Sequence, residues 1–265
     1  HPYDNRDYRF YANVLYDGCS FRGRVMEIHY NKVSGKEVAG EDLTPYGTSE
    51  TAAVTKTGYY LGKFVDETQK IDNDESYASK QNYIIWRYAE VLLNLAECAA
   101  EVGNKSDEVY TILKDIRKRA GITANADGLY GLKANMSQQE LIDAVLYERR
   151  IELAYEGKRF WDLLRRKIFS DMQGYSRYRI EIQVKNEYAA MARRDFITMI
   201  KSDPELMTKN YFKYFTTQTW RIDETYQWDV KDNYYFQGLA RKHFEQNPKL
   251  QQTIGWESGD FDPLK

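Results

Sequence analysis

Cysteine and histidine are scarce in this 265-residue chain, at two and three copies, and that scarcity removes whole classes of chemistry. Cys19 sits beside a Gly turn and Cys98 on a helical stretch; two such residues make neither a metal cluster nor a disulfide framework, and both read as small packing residues. His1, His29 and His243 are scattered, without the HExxH spacing of a zinc site. Neither a metal nor any other cofactor is therefore expected. Asp72, Asn73, Asp74 and Glu75 resemble a calcium loop in composition but lack its spacing and its Gly, so they read as a solvated acidic loop. No Gly-rich phosphate loop follows a strand, and there is no Gly-x-Ser-x-Gly elbow. A formal charge of -2 offers no basic surface for nucleic acid. No apolar run approaches the ~18 residues of a spanning helix.

What the chain has in quantity is aromatic rings, 15% of residues, with 23 tyrosines. A core needs few phenols, because each buried hydroxyl wants a partner, so some of them are expected on a surface. Hydrophobic content of 42% and charge of 29% fit a globular chain of one or two domains.

The first eighty residues read as strand, turn and loop. Residues 25–30 alternate, with Met26, Ile28 and Tyr30 opposite Glu27 and His29; Ser34-Gly35 signals a turn; residues 39–58 form a long polar loop. From Tyr83 helical spacing takes over. Ile85, Ala89, Leu92, Leu93, Ala96 and Ala100 form a narrow stripe, stopped by Gly103. Ser106 or Asp107 caps a second helix through Val109, Ile112, Leu113 and Ile116 to Gly121. The 83–121 pair has the size of one tetratricopeptide (TPR-like) unit, which cannot bury its own face and needs neighbouring helices. Ser137-x-x-Glu140 is a capping box opening a helix over 137–169. A polar helix is expected over 186–199, with irregular chain from Asp203.

The densest pattern is 147–166, YERRIELAYEGKRFWDLLRR. Glu152 follows Arg149 by three, Glu156 precedes Arg159 by three, and Asp162 precedes Arg165 and Arg166, spacings at which helical side chains meet. Apolar Ile142, Leu146, Leu153, Gly157, Phe160 and Leu164 run through the same helix, and Arg149 falls on their stripe. The reading is a packed helix whose arginines satisfy carboxylates and carbonyls of neighbouring elements. Paired carboxylates also serve glycoside hydrolysis, but Glu148, Glu152 and Glu156 each have an arginine in reach, which lowers carboxylate pKa and leaves no proton donor. No catalytic residue is assigned.

Three ordered blocks resemble the SusD/RagB family of outer-membrane nutrient-binding lipoproteins: Arg87-Tyr88-Ala89-Glu90-Val91-Leu92-Leu93; Arg117-x-Arg119-Ala120-Gly121; and Glu148-Arg149-Arg150-x-Glu152-Leu153 through Tyr155-Glu156-Gly157, Arg159, Trp161-Asp162-Leu163 and Arg165. The end of the chain is similar too, in Asn247-Pro248, Gly255-Trp256 and Phe261-Asp262-Pro263-Leu264. The chain departs from the family pattern at Asp7-Tyr8-Arg9 and at Thr253-Ile254. The resemblance implies a mainly α, SusD-like fold with irregular and short β segments. It covers the carboxyl-terminal part of a family member, 1–265, without the amino-terminal helical half. It further implies a cell-surface, outer-membrane protein that binds oligosaccharide or starch-like polysaccharide and delivers it to a SusC-like TonB-dependent transporter. A lipid anchor is expected in the absent amino-terminal part.

No shared motif marks ligand residues, so candidates come from loop position and residue type. Sugar rings pack on flat aromatic faces while Asn, Asp, Arg and Gln hold their hydroxyls. Phe21 and Arg22 after the Asp17-Gly18 turn, Asp42 and Tyr46 in the long loop, and Tyr59, Tyr60 and Tyr77 flanking it form the expected binding rim. For each tyrosine alone, ordinary packing is the competing reading. Two other functions stay open, a peptide-binding SusD-like receptor and a helical-repeat adaptor, with a hydrolase as a third and weaker one.

Overall fold

A computed structural model describes residues 1–44, 54–68, 82–222 and 227–262. In chain order the elements are α1 (Tyr8–Asn13), β1 (Val14–Leu15), β2 (Ser20–Phe21), β3 (Arg24–Val25), β4 (Tyr30–Val33), β5 (Lys36–Ala39), β6 (Tyr60–Leu61), α2 (Tyr88–Val102), α3 (Ser106–Arg119) and α4 (Gln138–Glu152). They continue as α5 (Arg159–Arg165), β7 (Tyr178–Val184), α6 (Arg193–Lys201), α7 (Tyr211–Tyr214), β8 (Phe215–Arg221) and α8 (Arg241–Gln246). The expected mixture of helix, short strand and irregular chain is the one found. Two compact units divide it, 1–156 with 177–222, and 157–176 with 223–265.

In the first unit, α2 packs on both α3 and α4. Leu93, Ala96, Ala99 and Ala100 are buried on α2, as are Val109, Leu113 and Ile116 on α3 and Leu141, Ile142 and Val145 on α4; the alanines permit close approach of the helices. The helical pair thus has a neighbour within this chain, α4. Its outer face stays bare: Tyr88, Val91, Leu95 and Val102, at helical spacing, are 73%, 51%, 45% and 63% exposed.

The helix ends follow local chemistry. Ser137 and Glu140 make both halves of the expected capping box. The Gln138 amide donates to the last carbonyls of α2, Ala100 O and Glu101 O, at 3.1 and 2.8 Å. Ile122 N donates to Arg117 O and Gly121 N to Lys118 O, a paired closure with Gly121 at φ +85. Three expectations need correction. α2 begins at Tyr88 and not Tyr83, because Arg87 is extended (φ -143, ψ 156) and its side chain is drawn to Glu152 and Glu156. Lys105, not Ser106 or Asp107, occupies the cap of α3. The 137–169 helix is broken, α4 ending at Glu152 and α5 starting at Arg159. Cations end it: Lys63 Nζ donates to Glu152 O and Ala154 O, and Arg87 to Glu152 O, taking carbonyls that a continuing helix would need. Tyr155 and Gly157 then turn with positive φ, 66 and 72.

A four-stranded sheet, β5-β4-β7-β8, completes the first unit. β4 is antiparallel to β5 and parallel to β7, and β7 and β8 pair over seven residues from Tyr178↔Arg221 to Val184↔Phe215. One face covers a core of Ile182, Val184, Phe196, Ile200, Leu206, Tyr211, Tyr214, Phe215 and Tyr3. The polar helix of 186–199 is a single turn at Asn186–Tyr188 followed by α6. The chain after Asp203 is not irregular but holds a π turn, α7 and β8. Nor do residues 25–30 alternate in burial, since Met26, Glu27, Ile28 and His29 are all buried. Glu27 is gripped by Arg193 through two bonds of 2.8 and 2.7 Å. His29 Nδ1 lies 2.7 Å from Asp17 Oδ1, which also accepts from Ile28 N, while Tyr211 donates to Oδ2 at 3.0 Å. Burial disfavours a charged His29 ring, yet the Asp17 carboxylate outweighs it and holds the ring above its usual pKa.

In the second unit, Phe160 packs on Trp161 and Phe169, and Phe169 on Tyr235. Trp256 donates to Phe236 O at 2.8 Å. Asp162 and Arg165 form the expected pair at 2.8 Å.

Removing the Ser137 hydroxyl leaves a first-turn N–H of α4 without its acceptor. Ser137→Ala should lower unfolding free energy by about 0.5–2 kcal/mol, read by chemical denaturation with an unchanged m value.

Candidate binding surface

The carboxylates of the 147–166 pattern are closed off by cations. Glu148, Glu152 and Glu156 are 1%, 3% and 9% exposed. Arg9 and Arg117 hold Glu148, each at 2.7 Å. Arg9, Arg87 and Arg119 hold Glu152, and Lys63 and Arg87 hold Glu156. The ladder expected within one helix is thus replaced, for Glu152 and Glu156, by partners from α1, α3 and the loops: Arg149 turns instead to Asn94 and Glu97 of α2, and α4 ends before Glu156. Burial pushes the Glu152 and Glu156 carboxyls up; Arg87, with Arg9 and Arg119 at the first and Lys63 at the second, outweighs it and keeps both below the usual carboxylate range. Paired in this way, Glu152 and Glu156 form part of the lining of a cleft of about 500 Å³, with Tyr8, Phe64 and Ile84. Locked this way, the three carboxylates brace the scaffold.

Of the seven residues nominated for recognition, Tyr46 and Tyr77 lie outside the described residues, as do Asp72 to Glu75. Two of the others, Phe21 and Tyr60, pack against a small satellite core of Met26, Ile28 and Leu43. Phe21 and Arg24 flank a two-residue turn in which Arg22 and Gly23 both have positive φ, 50 and 73, the conformation a tight hairpin prefers. The Arg22 guanidinium lies 5.5 Å from the Phe21 ring centre, and Arg22 also bonds Glu67 Oε2 and Asp66 O. Tyr60 donates to Asp42 O and accepts from Thr55 N.

Two nominees are already committed to structure. Both Asp42 oxygens are taken by the Arg24 fork at 2.5 and 2.8 Å, and Oδ2 also accepts from Glu27 N. Burial raises its carboxyl and Arg24 lowers it further than that, so it stays ionised and engaged. Tyr59 turns the opposite way from Tyr60 and packs against Tyr3 and Phe10, rings 6.0 and 6.2 Å apart. What remains open is the Phe21-Arg22 tip with the edge of Tyr60. The sequence reading missed Trp220, 43% exposed on β8, because the strand itself was not recognised.

The model of the SusD family matches residues 1–256 of this chain. The chain belongs to the SusD family. Among curated proteins it is similar to three from Formosa agariphila. SusD-like protein P2 is 36% identical over 96 residues, 36% of this chain and 19% of that protein. SusD-like protein P38 is 35% identical over 85 residues, 32% and 17%, and SusD-like protein P25 is 33% identical over 109 residues, 41% and 20%. The matched regions therefore span about a fifth of these relatives' length. A solved SusD-like protein from Bacteroides fragilis shares the fold, with a TM-score of 0.60 at 21% identity over 96% of this chain and 40% of its own. A SusD-like carbohydrate binding protein from the same organism is 25% identical, covers 66% of this chain and 32% of its own, and has a TM-score of 0.48.

For this SusD family chain the carboxylate cluster dictates acid behaviour. Glu152 and Glu156 have folded pKa values below their unfolded ones, so their stabilisation is full above about pH 4.5 and is lost as pH falls through the depressed values. Unfolding midpoints measured from pH 7 to pH 2 should fall steeply below that point. Glu152→Gln, which strands three arginines around a neutral amide, should cost about 3–5 kcal/mol at pH 7; a loss under 1 kcal/mol in denaturant titration would contradict the bracing role.

Proposed function

We propose that this chain is the carboxyl-terminal part of a SusD-type, cell-surface oligosaccharide-binding lipoprotein that passes its ligand to a SusC-like TonB-dependent transporter in the outer membrane. The observation that carries this reading is the family match over 1–256; the geometry supports it by leaving recognition to exposed rings and polar side chains while the carboxylates are spent on bracing. Binding without chemistry then rests on stacking and a few hydrogen bonds, so affinity for short sugars is modest. The Phe21-Arg22 tip is one contact point in this reading, with Tyr60 at its edge.

The same reading gives the bare face of α2 an occupant. Tyr88, Val91, Leu95 and Val102 are a stripe wide enough to take a further helix. The chain covers 40% of the solved relative, and the helical remainder of such a protein is the partner proposed.

Calorimetric titration of the intact protein with a glycan panel tests the function. Binding of at least one oligosaccharide is expected, weakened about three- to tenfold by Phe21→Ala or Arg22→Ala through lost stacking and cation–π contact. A panel with no binder, alongside measurable binding of peptides, would replace this reading with that of a peptide receptor. Expressed alone, the 265-residue chain should bind a hydrophobic dye more strongly than the intact protein does, and Val91→Lys with Leu95→Lys should abolish the difference.

A further inference from the structure

We propose that the open face of the four-stranded sheet is a second glycan-binding surface, with Trp220 as its stacking platform and the side chains of β7 and β8 as partners for hydroxyls of a neutral, extended oligosaccharide. The inference rests on the oligosaccharide reading above and adds to it a place and a ligand charge.

The pleat and the register define the surface. Side chains of Phe215, Thr217 and Thr219 fall on the same side as Val184, Ile182 and Ile180, the side that covers the core. Thr216, Gln218 and Trp220 therefore share the opposite face with Gln183, Glu181 and Arg179, their cross-strand neighbours. From Thr216 to Trp220 this face is ~14 Å long at the usual rise per residue. Trp220 stands at one end of it, and half-buried Tyr30 of β4, across from Gln183, is a second ring on the same side. At the other end it opens into a cleft of about 460 Å³ lined by Lys32, Gln183, Asn186 and Thr216 among others.

Chemistry selects the ligand. Arg179 is bonded to Glu181 at 2.9 Å, the Gln183 amide donates to Glu37 at 3.2 Å, and Lys32 stands directly across from Glu37. Charges on the face are thus balanced in sign, with no excess to attract an acidic sugar. What it presents is one indole, amides able to donate and accept at once, and carboxylates with lone pairs to spare. A pyranose needs this combination, a ring for its C–H face and two-way hydrogen bonding for its hydroxyls. An extended peptide would want apolar pockets at alternate positions, whereas Trp220 and Tyr30 stand here among charged and amide side chains.

The test uses the intact protein and linear neutral hexaoses of the gluco, manno, galacto and xylo types, with an oligogalacturonate as the acidic arm. Trp220→Ala should weaken binding of the preferred neutral sugar about fivefold or more, and Trp220→Tyr should restore most of it. Gln183→Ala should also weaken it, while thermal midpoints of all three variants stay near wild type, since these side chains lie outside the core. Wild-type binding that survives both alanine changes overturns the second surface and leaves the oligosaccharide reading intact. Binding confined to the oligogalacturonate, or to peptides, overturns the neutral-ligand assignment. A wild-type protein that binds none of the sugars overturns the reading underneath it.

Discussion

The convergence of Arg9, Lys63, Arg87, Arg117 and Arg119 on Glu148, Glu152 and Glu156 is the constraint from which most of the first unit follows. Three carboxylates on consecutive turns of α4 and its end would repel one another if left alone in a dry site. Cations from α1, from the loop at Lys63, from the residue before α2 and from α3 neutralise them. Each of these segments is thereby held at a fixed place on α4. The lattice also sets where elements end, since the same Arg87 and Lys63 that bind side chains take the carbonyls of Glu152 and Ala154.

Such a lattice is poor at adding net stability, because removing charges from water costs nearly what their attraction returns. Its contribution is discrimination. An apolar contact tolerates a shift of register, whereas a misplaced α3 would leave Arg117 and Glu148 buried and apart. Asp17 plays the same part on a smaller scale below the sheet. It gathers the Ile28 amide, the His29 ring and the Tyr211 hydroxyl onto one buried carboxylate.

Legibility in the sequence tracked the range of each interaction. The Ser137-Glu140 box and the Gly103 and Gly121 stops were readable because every partner lies within five residues. The arginine and glutamate pattern announced a buried ionic core, but local spacing paired Glu152 with Arg149, where the fold brings in Arg9 from 143 positions away. β8 was hidden for a different reason: its inner positions hold Thr217 and Thr219 where a half-buried strand would ordinarily show an apolar residue, so no alternation is visible. Phe21 and Arg22 were nominated from the Asp17-Gly18 turn that precedes them, whereas the tight turn at Arg22 and Gly23 itself carries no signal stronger than one glycine. Tyr59 and Tyr60 were not separable, because neighbouring residues of an extended segment face opposite ways and the sequence does not say which way is in.

The tyrosines make the same point about function. Tyr3, Tyr211 and Tyr214 are core residues, with Tyr211 and Tyr214 hydroxyls bonded to Asp17 and Asp203, so an abundance of phenols is in part a way to tie core rings to carboxylates. Counting rings therefore overstates the binding surface, and exposure joined to cross-strand neighbours is the better guide. By that measure a ring on a strand has an advantage over one on a loop tip. β8 is fixed along seven residues to β7, so in the proposed reading the backbone that carries Trp220 has little ordering entropy left to lose on binding. The Phe21-Arg22 tip is held by a two-residue turn and by Asp66 and Glu67 at its side, a lighter anchorage that suits adaptable contact. In the proposed reading, a platform on a paired strand and a tip on a short turn divide the work of recognition, the first setting which face of a sugar is presented and the second accommodating its substituents.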